Sequence, residues 1–267
     1  MRSRPMKRFL LVSLTIMFLL AGVQNCLSMG KHKGSGNVAA EVREFKNVHG
    51  VELDTFADLD IRIGDKNELR IEAEDNLIEY FETEIEDGIL QIGTKDNVNI
   101  HTTKDVNLFL TLKKLDTVVI SSSGDISAPD INSNTFQLVI NSSGDYEMGD
   151  LNADKVEIVI NSSGDAKIST LNADRIDIVL SSSGDLEIAD GKIDKQDIFI
   201  SSSGDYKALK LDSKVADVHI SSSGDAHIKV THELNAQLSS SGGVRYAGDP
   251  RIDQVITSSG EIRRAGW

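Results

Sequence analysis

The chain has 267 residues, 42 of them acidic and 28 basic, for a net charge of −14, and 39% are hydrophobic. A chain this acidic lacks the basic surface that phosphate contact needs, which argues against nucleic acid as a partner. Its single cysteine excludes an internal disulfide, so the fold is expected to owe nothing to cross-links.

Residues 1–28 read as a signal peptide rather than as part of a fold. Arg2, Arg4, Lys7 and Arg8 precede an apolar run of 13 residues from Phe9 to Ala21, too short for a comfortable membrane span. The segment holds four basic and no acidic residues, so without it the chain carries 24 basic against 42 acidic residues, a net of −18. Cys26 stands where such a segment is cut, and two readings fit. In one, Cys26 is acylated and anchors a bacterial lipoprotein, although Val23-Gln24-Asn25 departs from the small residue usual directly before such a cysteine. In the other, cleavage falls just after Ser28 and the protein is fully secreted. Both place it outside the cytoplasm, in the cell envelope (outer membrane or periplasm) or beyond. Residues 29–37 are Gly-, Ser- and Lys-rich and read as a flexible tether.

Residues 38–117 are acidic and strand-like. Leu59, Ile61 and Ile63 alternate, as do Leu69, Ile71 and Ala73; Gly64-Asp65 and Asp87-Gly88 read as turns, and Asn76 to Phe81 as a short helical turn. Val106, Leu108, Leu110 and Leu112 lead into the residues beyond 117 without a linker. This stretch is expected to form irregular coils that cap one end of a single domain spanning 38–267.

From Ser121 a pentapeptide close to Ser-Ser-Ser-Gly-Asp recurs at Ser121, Asn141, Asn161, Ser181, Ser201, Ser221, Ser239 and Thr257, at intervals of 20 and then 18 residues. Apolar alternation flanks each copy, as in Val156, Ile158, Ile160 and then Ala166, Ile168. Both intervals are even, so inward parity is kept, and Phe136, Leu138, Ile140, Met148, Ile198, Ile200, Val218, Ile220, Ile228, Leu234, Leu238 and Val244 are all even-numbered core candidates. Strands recurring at a fixed offset stack in parallel on their own copies. The fold class is therefore all-β, a right-handed parallel β-helix (β-solenoid) of about eight regular coils over 118–267. At roughly 4.8 Å per layer the coils form a rod about 40 Å long. A short third side is expected from segments such as Leu151-Asn152-Ala153-Asp154. At the corner, Gly124, Gly144, Gly164, Gly184, Gly204 and Gly224 are expected to supply positive φ, and Ser122, Ser142, Ser162, Ser182, Ser202 and Ser222 to point inward.

Several stretches together resemble the bacterial putative adhesins with an auto-transporter head GIN domain. They are Gly34-Ser35-Gly36-Asn37-Val38, Ile71-Glu72-Ala73-Glu74-Asp75-Asn76-Leu77, Glu82-Thr83-Glu84-Ile85-Glu86-Asp87-Gly88-Ile89-Leu90-Gln91-Ile92-Gly93-Thr94 and the Ser-Gly-Asp coils. The resemblance implies an envelope or surface β-helix, often lipid-anchored. It carries over no catalytic motif.

Parity aims two ladders outward. Asp125, Asp145, Asp165, Asp185, Asp205 and Asp225 lie one layer apart, where like charges repel by roughly 1 kcal/mol in water. They read either as a Ca²⁺ site or, preferably, as acceptors for turn N–H groups and serine hydroxyls with water screening the rest, since the Gly-Gly-x-Gly-x-Asp pattern of Ca²⁺-binding coils is absent. Val119, Val139, Val159, Val179 and Phe199 form an apolar stripe, read either as an interaction or self-association surface or as ordinary β-branched strand residues. Beside it, Glu157, Asp177, Asp197 and Asp217 read as a solvated face. His219, His227 and His232 are close in sequence, but adjacent sides of a rod do not make them converge on a metal.

No His or Lys recurs beside the serines as a base, and Gly-x-Ser-x-Gly is absent. Asn141 and Asn161 fit a glycosylation pattern but occupy a serine position of other coils. The leading functional expectation is a non-enzymatic adhesin or interaction module with no cofactor. It would meet a protein or glycan of the envelope, and a membrane only through the N-terminal anchor. The alternative is a polysaccharide lyase or hydrolase built on a β-helix. It is disfavoured because five intervals of 20 leave no room for cleft-building loops and should leave the rod's side smooth.

Overall fold

The computed structural model describes residues 30–266, so the signal segment and Cys26 lie outside the described residues. Strands β1 (Gly30–Lys33), β2 (Val38–Glu44), β3 (Gly50–Asp54), β4 (Asp58–Ile63) and β5 (Glu68–Glu74) come first. A 3-10 turn, Ile78–Tyr80, precedes β6 (Phe81–Glu86), β7 (Ile89–Thr94), β8 (Val98–His101) and β9 (Asn107–Leu112). The repeats form β10 (Thr117–Ile120), β11 (Ile126–Ala128), β12 (Ile131–Ile140), β13 (Tyr146–Ile160), β14 (Ala166–Leu180), β15 (Leu186–Ile200), β16 (Tyr206–Ile220), β17 (Ala226–Leu238), β18 (Gly243–Ala247), β19 (Arg251–Ile256) and β20 (Glu261–Arg264).

These strands make a parallel β-solenoid of about seven turns, close to the eight corners in the sequence. From β12 onward each strand pairs in parallel with its own copy in the next coil. Leu138 lies beside Ile158, Ile158 beside Ile178, and Ile178 beside Ile198. The period of 20 thus converts directly into register, and the even-numbered residues stack as an apolar column with Leu138, Ile158, Ile178 and Ile198 all buried.

Parity breaks on the third side. Ile131, Leu151, Leu171, Ile193 and Leu211 are buried although odd-numbered. The chain bends between Met148 and Leu151, where Gly149 and Asp150 both stay out of the core, and this resets which residues face inward.

The corner departs from expectation in two ways. None of the six corner glycines has positive φ. They are needed for close approach instead. A Cβ on Gly164 would overlap the carbonyl oxygen of Gly144 and come within 2.9 Å of both Ile140 Cγ2 and the Ser142 carbonyl oxygen. Gly164 N–H donates to Ser142 O at 3.2 Å, and Gly184 N–H to Ser162 O at 3.0 Å, so each corner backbone seats directly on the last. The innermost corner position therefore belongs to glycine, and Ser142, Ser162 and Ser182 are half-buried rather than interior.

The N-terminal end is closed by a change of strand direction. β7 and β9 continue the stack in parallel on β3 and β4, but β6 then pairs antiparallel with β7, β5 with β9, and β2 with β5. The tether expectation is corrected here, since residues 30–37 are part of the fold. β1 pairs with β8, with Lys31 beside Asn99 and Lys33 beside His101. Composition favours flexibility only where the backbone finds no partner, and here partners arrive from 40 to 70 residues away. Buried Glu74 is the centre of this arrangement. Its carboxylate accepts the Gly36 N–H at 2.7 Å, the Thr103 N–H at 2.8 Å and the Thr103 hydroxyl at 2.6 Å. The Thr103 hydroxyl leads these donors in holding the Glu74 carboxyl down at about 2.

Candidate functional site

Side chains that face away from the core form in-register ladders along the rod. The aspartates stack at the corner's outer edge, each tied to the next coil. Asp58 Oδ1 accepts the Asp125 N–H at 3.1 Å, and Asp125 Oδ1 accepts the Asp145 N–H at 2.8 Å. The pattern repeats from Asp145 to Asp165, from Asp165 to Asp185 and from Asp185 to Asp205, each at 2.8 Å. It ends with Asp205 accepting from Asp225 at 2.9 Å and Asp225 from Gly243 at 2.7 Å. One oxygen of every carboxylate is thus committed to a backbone N–H, which offsets the repulsion along the row. Lys207 Nζ reaches Asp185 Oδ2 at 2.5 Å, and this hydrogen bond raises the Lys207 ammonium above its ordinary value. Among the described residues, no three His, Cys, Asp or Glu side chains converge on a common point.

The apolar stripe also stacks in register: Val119 beside Val139, then Val159, Val179 and Phe199. The four valines are half-buried and Phe199 is 46% exposed. His219, Gln237 and Val255 continue the same row. His219 therefore sits on this side, while His227 stacks between Lys207 and Arg245 on the next, and His232 bonds to its neighbour Thr231 at 2.8 Å. The three do not meet.

The acidic row beside the stripe is not merely solvated. Arg175 pairs with Asp177 at 2.7 Å and with Asp197 at 2.6 Å, and Lys195 with Asp197 at 2.8 Å and Asp217 at 2.7 Å. Lys155 lies 3.4 Å from Asp177. Residues i and i+2 share a strand face, and parallel register sets the next coil one layer away, so each cation is held between two carboxylates. The signal was present in the recurrence of Lys155, Arg175 and Lys195 at intervals of 20.

The rod's sides are less smooth than expected. An open groove of about 470 Å³ is lined by Asp58, Asp60, Phe109, Asp125, Asp145 and Lys167. The guanidinium groups of Arg62 and Arg70 lie 5.8 and 5.9 Å from the Phe109 ring centre. A second groove, about 620 Å³, runs along the third side over Ala153 and Ala173. Its wall is an amide ladder in which Asn152 Nδ2 donates to Asn132 Oδ1 and Asn172 Nδ2 to Asn152 Oδ1, both at 3.1 Å. Asn161 donates likewise to Asn141 at 2.9 Å, the structural role read for these two residues in the sequence.

Comparison with known proteins bears on the family and the fold. Residues 47–170 and 148–250 match the family described as putative auto-transporter adhesin, head GIN domain. A search among curated proteins finds no match. Among solved structures, a putative lipid binding protein from Parabacteroides distasonis superposes with a TM-score of 0.82 at 26% identity, over 89% of this chain and 100% of the other. A putative adhesin from Parabacteroides merdae gives 0.80 at 18% identity, over 88% and 99%. A putative adhesin from P. distasonis gives 0.76 at 20% identity, over 88% and 100%. At the identities of the last two, the likeness speaks for the fold alone.

Proposed function

Because the chain belongs to the putative auto-transporter adhesin, head GIN domain family, we propose that it is a non-enzymatic, exported interaction rod of the bacterial envelope, held at its N-terminal end by acylated Cys26. The observation that carries this reading is the row Val119, Val139, Val159, Val179 and Phe199. It is apolar on five consecutive coils and stacked in register on a side not used by the core. Apolar residues scattered singly over a surface need no explanation, but a contiguous ordered row is the form an interface takes. The ion-paired ladder alongside keeps the row's flank rigid and polar, the usual rim of such a surface.

The N-terminal placement also fits. β1 begins at Gly30, four residues past Cys26, and four residues reach at most about 14 Å. An anchor at Cys26 would therefore hold the cap close to the membrane and leave the coils projecting outward.

Pull-down from native envelopes with Val159→Lys/Phe199→Lys tests the stripe. Capture of partners should be lost while β-content is unchanged, and unaltered capture would overturn the assignment. Acyl labelling that vanishes in Cys26→Ser tests the anchor separately. The relative described as a putative lipid binding protein makes lipid acyl chains a second occupant for the same stripe. Vesicles of neutral lipid offered to the same double variant distinguish the two.

A further inference from the structure

The two ends of the rod are finished differently. At the N-terminal end, antiparallel strands cover the core. At the other end, β19 and β20 form a last coil with nothing stacked on it among the described residues. Ile252 and Ile256 lie directly over Leu234 and Leu238, so their register is that of core residues. Yet each is 37% exposed, whereas Leu234 and Leu238 are fully buried. Ile262 lies over buried Val244 and is itself only partly covered. Open backbone edges and interior apolar side chains are presented together, which is the arrangement most prone to pair with another chain.

We propose that this coil joins two copies of the protein tail to tail. A two-fold axis through the corner between β19 and β20 sets β19 of one copy antiparallel to β20 of its partner, and the reverse on the other side. With even-numbered residues kept inward in both copies, Gln254 falls opposite Ile262 of the partner subunit and Asp253 opposite Arg263 of the partner subunit. The symmetry makes that ion pair twice and sets Ile252 opposite Arg264 of the partner subunit and Ile256 opposite Gly260 of the partner subunit, so each copy's isoleucines are covered by the partner's edge, in part by the aliphatic stem of an arginine. The edge is thus complementary to itself in charge at Asp253 and Arg263, which selects a second copy of this chain. The contact is also closed, since symmetry uses up both tails.

Head-to-tail growth would instead set β19 against β6, whose exposed Glu82, Glu84 and Glu86 are of the kind that protects an edge from pairing, and β20 against β2, where exposed Glu41 and Glu44 lie among the exposed Val38 and Val42. A tail-to-tail pair points its two N-terminal ends in opposite directions. Resting on the anchor proposed above, such a pair would bridge two facing membranes.

Sedimentation of the protein lacking residues 1–28, which retains every described strand, tests the dimer independently of the anchor. The expected result is a concentration-dependent shift from monomer to dimer and no further. Asp253→Arg should weaken association about tenfold or more, because two attractive contacts become repulsive. The exchange Asp253→Arg/Arg263→Asp should restore it, and Ile256→Lys should abolish it with β-content unchanged. A monomer at all concentrations, a mass that keeps growing beyond two, or a dimer indifferent to reversal at Asp253 would each overturn the proposal. Bridging of vesicles carrying the chain coupled through its single thiol, Cys26, then reads the membrane consequence, and a stable dimer that does not bridge would remove only that part.

Discussion

In the coils from Asn141 to Asp225, every corner is the same small assembly: a glycine pressed on the glycine below, a carboxylate accepting the next backbone N–H, a half-buried serine between. In the N-terminal cap no corner repeats, and β2, β5 and β6 add antiparallel ladders around contacts that occur once, such as the Glu74 carboxylate. The difference teaches where each region is fragile. A repeated contact has no spare room, because each copy fixes the position of the next. A unique contact can fail locally and leave its surroundings standing.

Glycine substitution should break the comparison most sharply. Gly164→Ala forces a methyl group into the Gly144 carbonyl, with backbone on the facing side that cannot swing away. It should cost about 3 kcal/mol or more in urea unfolding, the upper part of the range for overpacking. In the cap, Gly36 has φ +85 with nothing within 4 Å of an added Cβ. Gly36→Ala should therefore cost only about 1 kcal/mol, from the left-handed backbone alone. Equal losses at the two positions would show that close approach is not what the corner requires.

The carboxylate rung should come next. Asp165→Ala leaves the Asp185 N–H without its acceptor and should lower stability by about 1.5 kcal/mol, while Asp165→Asn, which keeps an acceptor oxygen, should recover most of it. If Asn proves as damaging as Ala, charge rather than hydrogen bonding sustains the row. A smaller effect is expected from Arg175→Met, which removes pairs to Asp177 and Asp197 at a half-exposed site. About 1 kcal/mol should be lost in low salt and less at high ionic strength, measured as the difference in urea midpoints.

How much of this could be read from residues alone obeys the same division. The register was legible because 20 and 18 are even and the apolar columns recur without insertion. The inverted third side was not, because the bend between Met148 and Leu151 changes parity without any marker residue that recurs in every coil. Recurrent glycine announced a corner but not its reason, since a need for positive φ and a need for close approach leave the same letter. The aspartate rungs were foreseen as acceptors of turn N–H groups and serine hydroxyls, and the donor found is the aspartate N–H one coil on. The zipper of Lys155, Arg175 and Lys195 went unread because its partners sit two residues along and one coil away. The ordered tether was beyond reach: β8 and Glu74 are distant in sequence, and nothing local to residues 30–37 points to them.

The cap's own weak point is acid. Glu74 has an ordinary value of 4.5 and is held at about 2 in the fold, chiefly by the Thr103 hydroxyl and then by the Thr103 N–H. A lowered value means that the unfolded or opened chain takes up the proton first. The stabilisation from this carboxylate is therefore complete above about pH 4.5, declines as pH falls below it, and is gone once pH passes below about 2. Protonation should release Gly36 and Thr103 together, freeing β1 and its connection to β2 while the coils beyond β10 stay paired. Amide resonances of Gly36 and Thr103 should move with a common midpoint near 2, and Glu74→Gln should abolish that titration. A midpoint near 4.5 would mean that the carboxylate is solvated and that residues 30–37 are held instead by the pairing of β1 with β8 and by Asn76, which accepts the Ser35 N–H and donates to the Lys33 carbonyl.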